Sequence, residues 1–269
     1  MGKSEILTRD ALKYLSAPNL AGVEGLVHGF LTRVGGVSEA PFSSLNFGVG
    51  RGDVNGDGPE KVAANREVLE KAFNLPAKRL FTMKQVHSSS VLVLDGPVRR
   101  DDNKKQEADA VITVESTLPI GVLTADCVPV LLFDPAARAI GALHAGWRGA
   151  ASGVIKNAVE RMRREYAAEP GRTLAAIGPH IGPCCYHVGE DLFEEFTREG
   201  PEMERFFSGA KGSLSLDLGA AVANELTAAG LVRGNIVSIG PCTSCTTDLF
   251  FSYRKEGLTG RQLSFIMLM

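Results

Sequence analysis

Apolar residues fall in short, nearly unbroken runs through the middle of the chain and at helical spacing on either side of it. Val91 to Leu94, Ala110 to Val114, Ile120 to Leu123 and Val128 to Phe133 are rich in β-branched residues and bounded by Asp, Gly and Pro. Such runs predict buried strands of one sheet. Asp134-Pro135 predicts a turn, and Ala139 to Leu143 a further strand that delivers His144 at its end. Upstream, Val62, Ala63, Val68, Leu69, Ala72 and Phe73 recur every three or four positions, which predicts a helix over 60–74 with Pro76 beyond its end. Downstream, Gly146 and Gly149 bracket a tight passage into an alanine-rich periodic segment, predicting a helix over 150–164. A strand at 174–177, helices at 190–197 and 218–229 and a strand near 236–239 complete the series. The two element types alternate without a strict βαβ rhythm, so the expected class is mixed α/β (α+β), one domain with a mixed sheet flanked by helices.

The least periodic stretch runs from Val49 to Glu60, where glycines, Asn55 and aspartates make a turn-rich loop. Its Asp53, Asn55, Asp57 spacing is similar to a calcium loop, but the twelfth position, where a bidentate glutamate is required, is Ala64. A surface loop is the expectation.

The 269 residues are 44% apolar and 22% charged, enough to bury a full core. The net charge of −2 comes from 29 basic and 31 acidic side chains mixed along the chain, so no basic run offers a footprint for nucleic acid. No run of 18 apolar residues exists to cross a bilayer, and the polar N-terminus leads into no apolar signal segment; the expected location is the cytoplasm. Five cysteines in a chain of this length fit reduced thiols in a reducing compartment.

Chemistry concentrates in three segments, Met83-Lys84-Gln85-Val86-His87, Thr124-Ala125-Asp126-Cys127 and His144-Ala145-Gly146-Trp147-Arg148-Gly149. Two imidazoles and a thiolate suit zinc or copper, and three protein ligands leave one position open, as catalytic sites do. Cys127 and His144 are 17 residues apart in the sequence, the length of a strand, a turn and a returning strand, so a hairpin would bring them to one end of a sheet. Nothing in the spacing requires His87 to join them, and each residue taken alone reads first as part of a core, the cysteine as a small hydrophobe and the histidines as hydrogen-bonded core residues. Cys242-Thr243-Ser244-Cys245 has C-x-x-C spacing but no clear C-x-x-C or H-x₃-H partner for a structural zinc site. Cys184-Cys185 follows the turn-rich Ile177 to Pro183 and is expected to shape a loop wall.

These segments, together with Leu31-Thr32-Arg33, Phe42 to Asn46, Ala108-Asp109-Ala110, Ile177-Gly178-Pro179 and Phe251-Ser252-Tyr253-Arg254, resemble the YfiH-like, laccase-domain family, whose members are also described as purine nucleoside phosphorylases and peptidoglycan-editing factors. The resemblance runs from about Gly29 to Gly260. It implies a domain over 29–269 behind an N-terminal extension over 1–28, and a fold similar to the cysteine hydrolase fold of a bacterial toxin class. It further implies zinc, with copper as the alternative, held by His87, Cys127 and His144. The implied substrates are a purine nucleoside and phosphate, giving free base and ribose 1-phosphate, with adenosine deamination in some members. No nucleic acid, membrane or obligate protein partner is implied, and no family role attaches to Cys184, Cys185, Cys242 or Cys245.

Cleaving an N-glycosidic bond with phosphate requires cations to hold the anion and an acid for the departing base. Arg33 and Arg148 are the expected phosphate ligands, since guanidinium pairs its N–H groups with phosphate oxygens. Gln85 and Asn46 would either read a base or ribose edge or cap loop backbone. Asp109 is the expected acid, preferred to Asp126 because adjacent residues of an extended stretch, such as Asp126 and Cys127, point to opposite faces. The alternative chemistry is cysteine hydrolysis with Cys127 as nucleophile and His144 as base. Copper polyphenol oxidation is the weakest expectation, because one trio and five histidines are too few for several copper sites.

Overall fold

In the computed structural model, which describes residues 5–49, 57–76, 78–96, 106–198, 200–210 and 212–269, most strands bury both faces, because two sheets stack on one another and helices cover the outside. The first sheet holds β1 (Ile6–Arg9), β2 (Leu12–Leu15), β3 (Leu26–Leu31), β4 (Phe81–Thr82), β7 (Ile120–Thr124) and β15 (Gln262–Leu268), in the order β1-β2-β3-β15-β7-β4. The second holds β5 (Val91–Leu94), β6 (Ala110–Thr113), β8 (Val128–Asp134), β9 (Ala139–Ala145), β10 (Leu174–Ile177) and β14 (Ile236–Ser238), in the order β14-β10-β8-β9-β6-β5. A small sheet orders β11 (His187–Val188), β13 (Leu214–Leu216) and β12 (Phe207–Ser208). The helices are α1 (Pro59–Phe73), α2 (Trp147–Ala151), α3 (Val154–Tyr166), α4 (Glu190–Arg198), α5 (Leu218–Ala228) and α6 (Tyr253–Glu256).

The period-two alternation of strand side chains sorts each strand's residues between separate cores. On β9, Ile140 and Ala142 join Val122, Ile266 and Phe30 of the first sheet in the core between the sheets, while Ala139, Leu143 and Ala145 face Ile155, Ala158 and Met162 of α3 and Val222 and Leu226 of α5. On the far side, Leu263, Phe265 and Met267 of β15 meet Leu69, Ala72 and Phe73 of α1. The layers run α1, first sheet, second sheet, then α3 with α5.

The mixed α/β class matches the expectation, but the single sheet does not. β7 lies in the first sheet, beside β15, whereas β8 begins the second; the chain changes sheets at Asp126, whose φ of 95° turns it sharply. The expected helix over 150–164 is two helices, α2 and α3, parted at Gly153 in the left-handed region. Of the segment expected as an N-terminal extension over 1–28, the described residues 5–28 supply β1, β2 and the opening of β3 at the edge of the first sheet. Most of the loop read against a calcium pattern, Asp53 and Asn55 included, lies outside the described residues. Among the described residues no helix is long and apolar enough to cross a membrane.

Candidate metal centre

The antiparallel β8–β9 hairpin pairs Pro129 with His144 and Val128 with Ala145, so Cys127, directly before β8, sits beside His144 at one end of the second sheet. β6 pairs with β9 on its other side, and the N–H of His144 donates to the carbonyl of Asp109 at 2.7 Å. The register therefore delivers Asp109, Cys127 and His144 to one rim. His87 arrives from the segment ahead of β5. Its Nε2 lies 3.8 Å from Cys127 Sγ, and its ring meets that of His144 edge to face, with centroids 4.9 Å apart. The ligand atoms of His87, Cys127 and His144 all lie within 4.8 Å of one another. Tetrahedral zinc, with bonds of about 2.0–2.3 Å, sets nitrogen and sulfur ligands roughly 3.5 Å apart, so the spacing and the donor set both fit such an ion.

Asp109 fixes two of these residues at once. Its carboxylate is fully buried and accepts the backbone N–H groups of Val86 (3.2 Å), His87 (3.0 Å) and Ser88 (2.6 Å) and the Ser88 hydroxyl (2.8 Å). Its Oδ1 also accepts His144 Nδ1–H at 2.8 Å, which fixes the tautomer that turns Nε2 toward Cys127. Burial alone would raise the Asp109 pKa, but the bonds from His144 and Ser88 overcome it and hold the group at about 2. The residue expected to donate a proton is thus a fixed anion that orients its neighbours. Burial raises the Cys127 thiol, yet the His144 and His87 rings bring it down to about 6; the Cys127 charge lifts His144 in turn, against burial, to about 9. Each group thus favours the charged form of the other.

The backbone around the trio is strained and crowded. His87 has φ 61° and Asp126 φ 95°, conformations that side-chain-bearing residues seldom adopt away from functional sites. A Cβ on Gly146 would stand 2.6 Å from His87 Cδ2 and 3.2 Å from Cys127 Sγ, so only glycine lets the start of α2 pass this close.

Other expected site residues are placed differently. Gln85 clamps the backbone of Leu123 at both ends, donating to its carbonyl at 2.7 Å and accepting its N–H at 2.8 Å. Asn46 is fully buried; its amide donates to Gly48 O and Asp57 Oδ2 and its oxygen accepts from Gly48 and Arg261, which uses all four of its side-chain hydrogen bonds. Both residues hold backbone. Arg33 is a latch rather than an open phosphate ligand: it donates to Ser43 O, Thr247 O and Glu256 Oε1 and lies over the Phe251 ring. Arg148, exposed at the first turn of α2, stacks on Trp147 at 4.3 Å. Asp126, in its sharp turn rather than an extended stretch, accepts from Thr243 Oγ1 and the N–H of Arg254, both at 2.7 Å.

Three residues near the trio were given no role by the sequence, although Arg254 lies in a motif that carries the family resemblance. Tyr186, pushed up to about 12 by burial and then by the charge of Cys127, also feels the charges of Arg254 and Arg148. Arg254 lies over the Tyr186 ring at 5.1 Å. Arg261, whose pKa is lowered by burial, is held charged by Cys127 and Asp126. It directly precedes β15, a strand that the chain's apolar pattern does not announce because Gln262 and Ser264 interrupt it.

A family model described as multi-copper polyphenol oxidoreductase laccase matches residues 27–269. A purine nucleoside phosphorylase of Streptomyces coelicolor is 38% identical over 246 residues, 91% of this chain and 97% of that protein. The purine nucleoside phosphorylase YfiH of Escherichia coli is 35% identical over 237 residues, 88% of this chain and 91% of its own length. Among solved structures, YlmD from Geobacillus stearothermophilus superposes with a TM-score of 0.86 at 32% identity, covering 98% of this chain and 99% of that one.

Proposed function

Since the chain belongs to the family described as multi-copper polyphenol oxidoreductase laccase, with relatives named purine nucleoside phosphorylase, we propose that it is a cytoplasmic, zinc-dependent purine nucleoside phosphorylase. The observation that carries the reading is the convergence of two imidazoles and a thiolate within 4.8 Å, with His144 oriented by a buried carboxylate. Zinc bound by His87, Cys127 and His144 would supply Lewis-acid polarisation of a substrate oxygen.

The chain's own residues would do the rest. In phosphorolysis a phosphate oxygen bonds to the anomeric carbon of ribose as the bond to the purine nitrogen breaks, and the departing base takes a proton. Arg148, exposed on α2, would be the cation for phosphate, with Arg254 and Arg261, each donating to backbone carbonyls, adding positive charge around Tyr186 and Cys127. Tyr186, under Arg254 and within the field of Cys127, keeps its proton at neutral pH and would serve as a proton donor, a role that the ionised Asp109 does not fill.

A second reading, cysteine hydrolysis, has a specific observation in its favour: Cys127, His144 and Asp109 line up as nucleophile, base and orienting carboxylate. Against it stands His87, a third donor 3.8 Å from the sulfur for which a hydrolase has no need. Multi-copper oxidation would need further imidazoles. The remaining three are engaged elsewhere, His28 with Ala17 N–H, His180 with Gly178 O and His187 with Ser215 Oγ.

The test is incubation of purified protein with inosine or adenosine, with and without phosphate. Free purine should form only when phosphate is present and should be lost on chelation. Purine-free turnover that survives chelation and disappears on alkylation of Cys127 would replace this reading with the hydrolase, and inosine formed from adenosine without phosphate would report deamination.

A further inference from the structure

The other four cysteines also converge. Cys184 and Cys185 lie in the loop after β10, and Cys242 and Cys245 in the loop after β14, and these strands run parallel side by side. Both loops therefore leave the same edge of the sheet together. Pairing continues beyond the strands, with Thr243 N–H donating to His180 O at 3.0 Å. Across the join, Cys245 Sγ stands 3.4 Å from Cys185 Sγ and 3.6 Å from Cys184 Sγ, and the four sulfurs all lie within 4.8 Å of one another. Gly182 N–H donates to Cys242 Sγ at 3.2 Å.

We propose that Cys184, Cys185, Cys242 and Cys245 form a second metal site, a tetrathiolate for a zinc-like divalent ion that staples the two loops together. A tetrahedral ion with zinc–sulfur bonds of about 2.3 Å holds its sulfurs roughly 3.8 Å apart, close to the separations seen. Four sulfurs at this spacing repel once ionised, and a soft or borderline cation removes that repulsion; binding releases one proton for each thiol that ionises. Disulfide pairing fits less well. Cys245 is shared almost equally between two partners, all four thiols are free, and an S–S bond of about 2.05 Å would have to draw one pair together and abandon the cluster. The second ligand pair that C-x-x-C spacing demands is present as adjacent cysteines, a form that a search for spaced motifs passes over.

The staple would lie directly behind the first centre. Asp126, next to Cys127, accepts Ile181 N–H on its carbonyl and Thr243 Oγ1–H on its carboxylate, touching both loops, and Tyr186 follows Cys185 directly. The proposal does not depend on the nucleoside reading, because its readout is metal and not turnover.

The experiment uses the full chain carrying Cys127→Ser, which removes the thiolate of the first centre and leaves all four clustered cysteines. Purified with zinc, it should retain a metal equivalent that is lost when Cys242→Ser and Cys245→Ser are added. Replacing the ion with cobalt(II) should give the intense thiolate-to-metal absorbance of a tetrahedral tetrathiolate, a direct readout should the triple variant fail to fold. A Cys127→Ser protein that takes up cobalt without that absorbance, or whose four remaining cysteines are found by mass as disulfides or titrate as free thiols in the presence of zinc, overturns the proposal.

Discussion

A single carboxylate settles much of the first centre. Asp109 gathers three successive backbone N–H groups at Val86, His87 and Ser88 and the Nδ1–H of His144, so one side chain sets the His87 backbone and the His144 ring together. Replacing it by Asn removes the charge and places an N–H group where an acceptor is needed. Asp109→Asn should lower zinc affinity about 10–100-fold, measured by competition with a chromogenic chelator. Gly146 makes a sharper prediction. The Cβ of Gly146→Ala would strike His87 at 2.6 Å, and the clash is with ligands, not with a flexible surface chain. Metal occupancy and phosphorolysis should fall together by about tenfold or more while the circular dichroism spectrum is unchanged, because a shift of about 1 Å at a positioned group costs on the order of 10²-fold in rate. At this scale the sequence named three side chains that the fold brings within 4.8 Å of one another, while the structure gives Asp109 and Arg33 hydrogen-bond partners that the sequence did not announce. Residue type states what a side chain can do, whereas its partners decide what remains free to act.

Among the elements, the β8–β9 hairpin and its pairing with β6 were largely readable, since short apolar runs joined by Asp134-Pro135 have few other ways to bury themselves. Helix α5 was readable too, with the Asp217 side chain accepting Ala220 N–H at its start. That helix also carries a conflict. Glu225 is half-buried, its Oε2 is shielded from solvent with no hydrogen-bond partner among the described residues, and loss of solvent pushes its pKa from 4.5 to about 8. Because its pKa is raised in the folded protein, the folded state holds this proton more tightly than the unfolded chain does. The stability it brings is fully present below about 4.5 and is lost as pH rises through about 8. Glu225→Gln should therefore raise thermal stability at pH 9 by about 1–3 kcal/mol and leave it nearly unchanged at pH 4, a difference that melting curves at the two pH values would show. Equal gains at both would place the effect outside ionisation.

Across the whole molecule, the first centre is assembled from distant parts of the chain. Asp109 ties the His87 segment to the second sheet, while Gln85, two residues earlier, clamps it to β7 of the first. A metal that needs this arrangement binds the folded chain only, so chelation should lower the melting temperature by several degrees, with full recovery on adding zinc back; ligand at 100 times its dissociation constant contributes about 2.7 kcal/mol. A melting curve indifferent to zinc would argue against a centre built by the fold. The chain by itself determined the mixed α/β class, the hairpin and which side chains carry metal-binding chemistry, because these depend on local periodicity and on properties that each side chain carries anywhere. Only the tertiary structure decided that β7 and β8 part into different sheets at Asp126, that His87 reaches Cys127, and that Cys184-Cys185 meets Cys242 and Cys245. Those outcomes rest on strand pairing between segments far apart in sequence, where side-chain spacing is set by sheet register and stacking and leaves no mark in the order of residues.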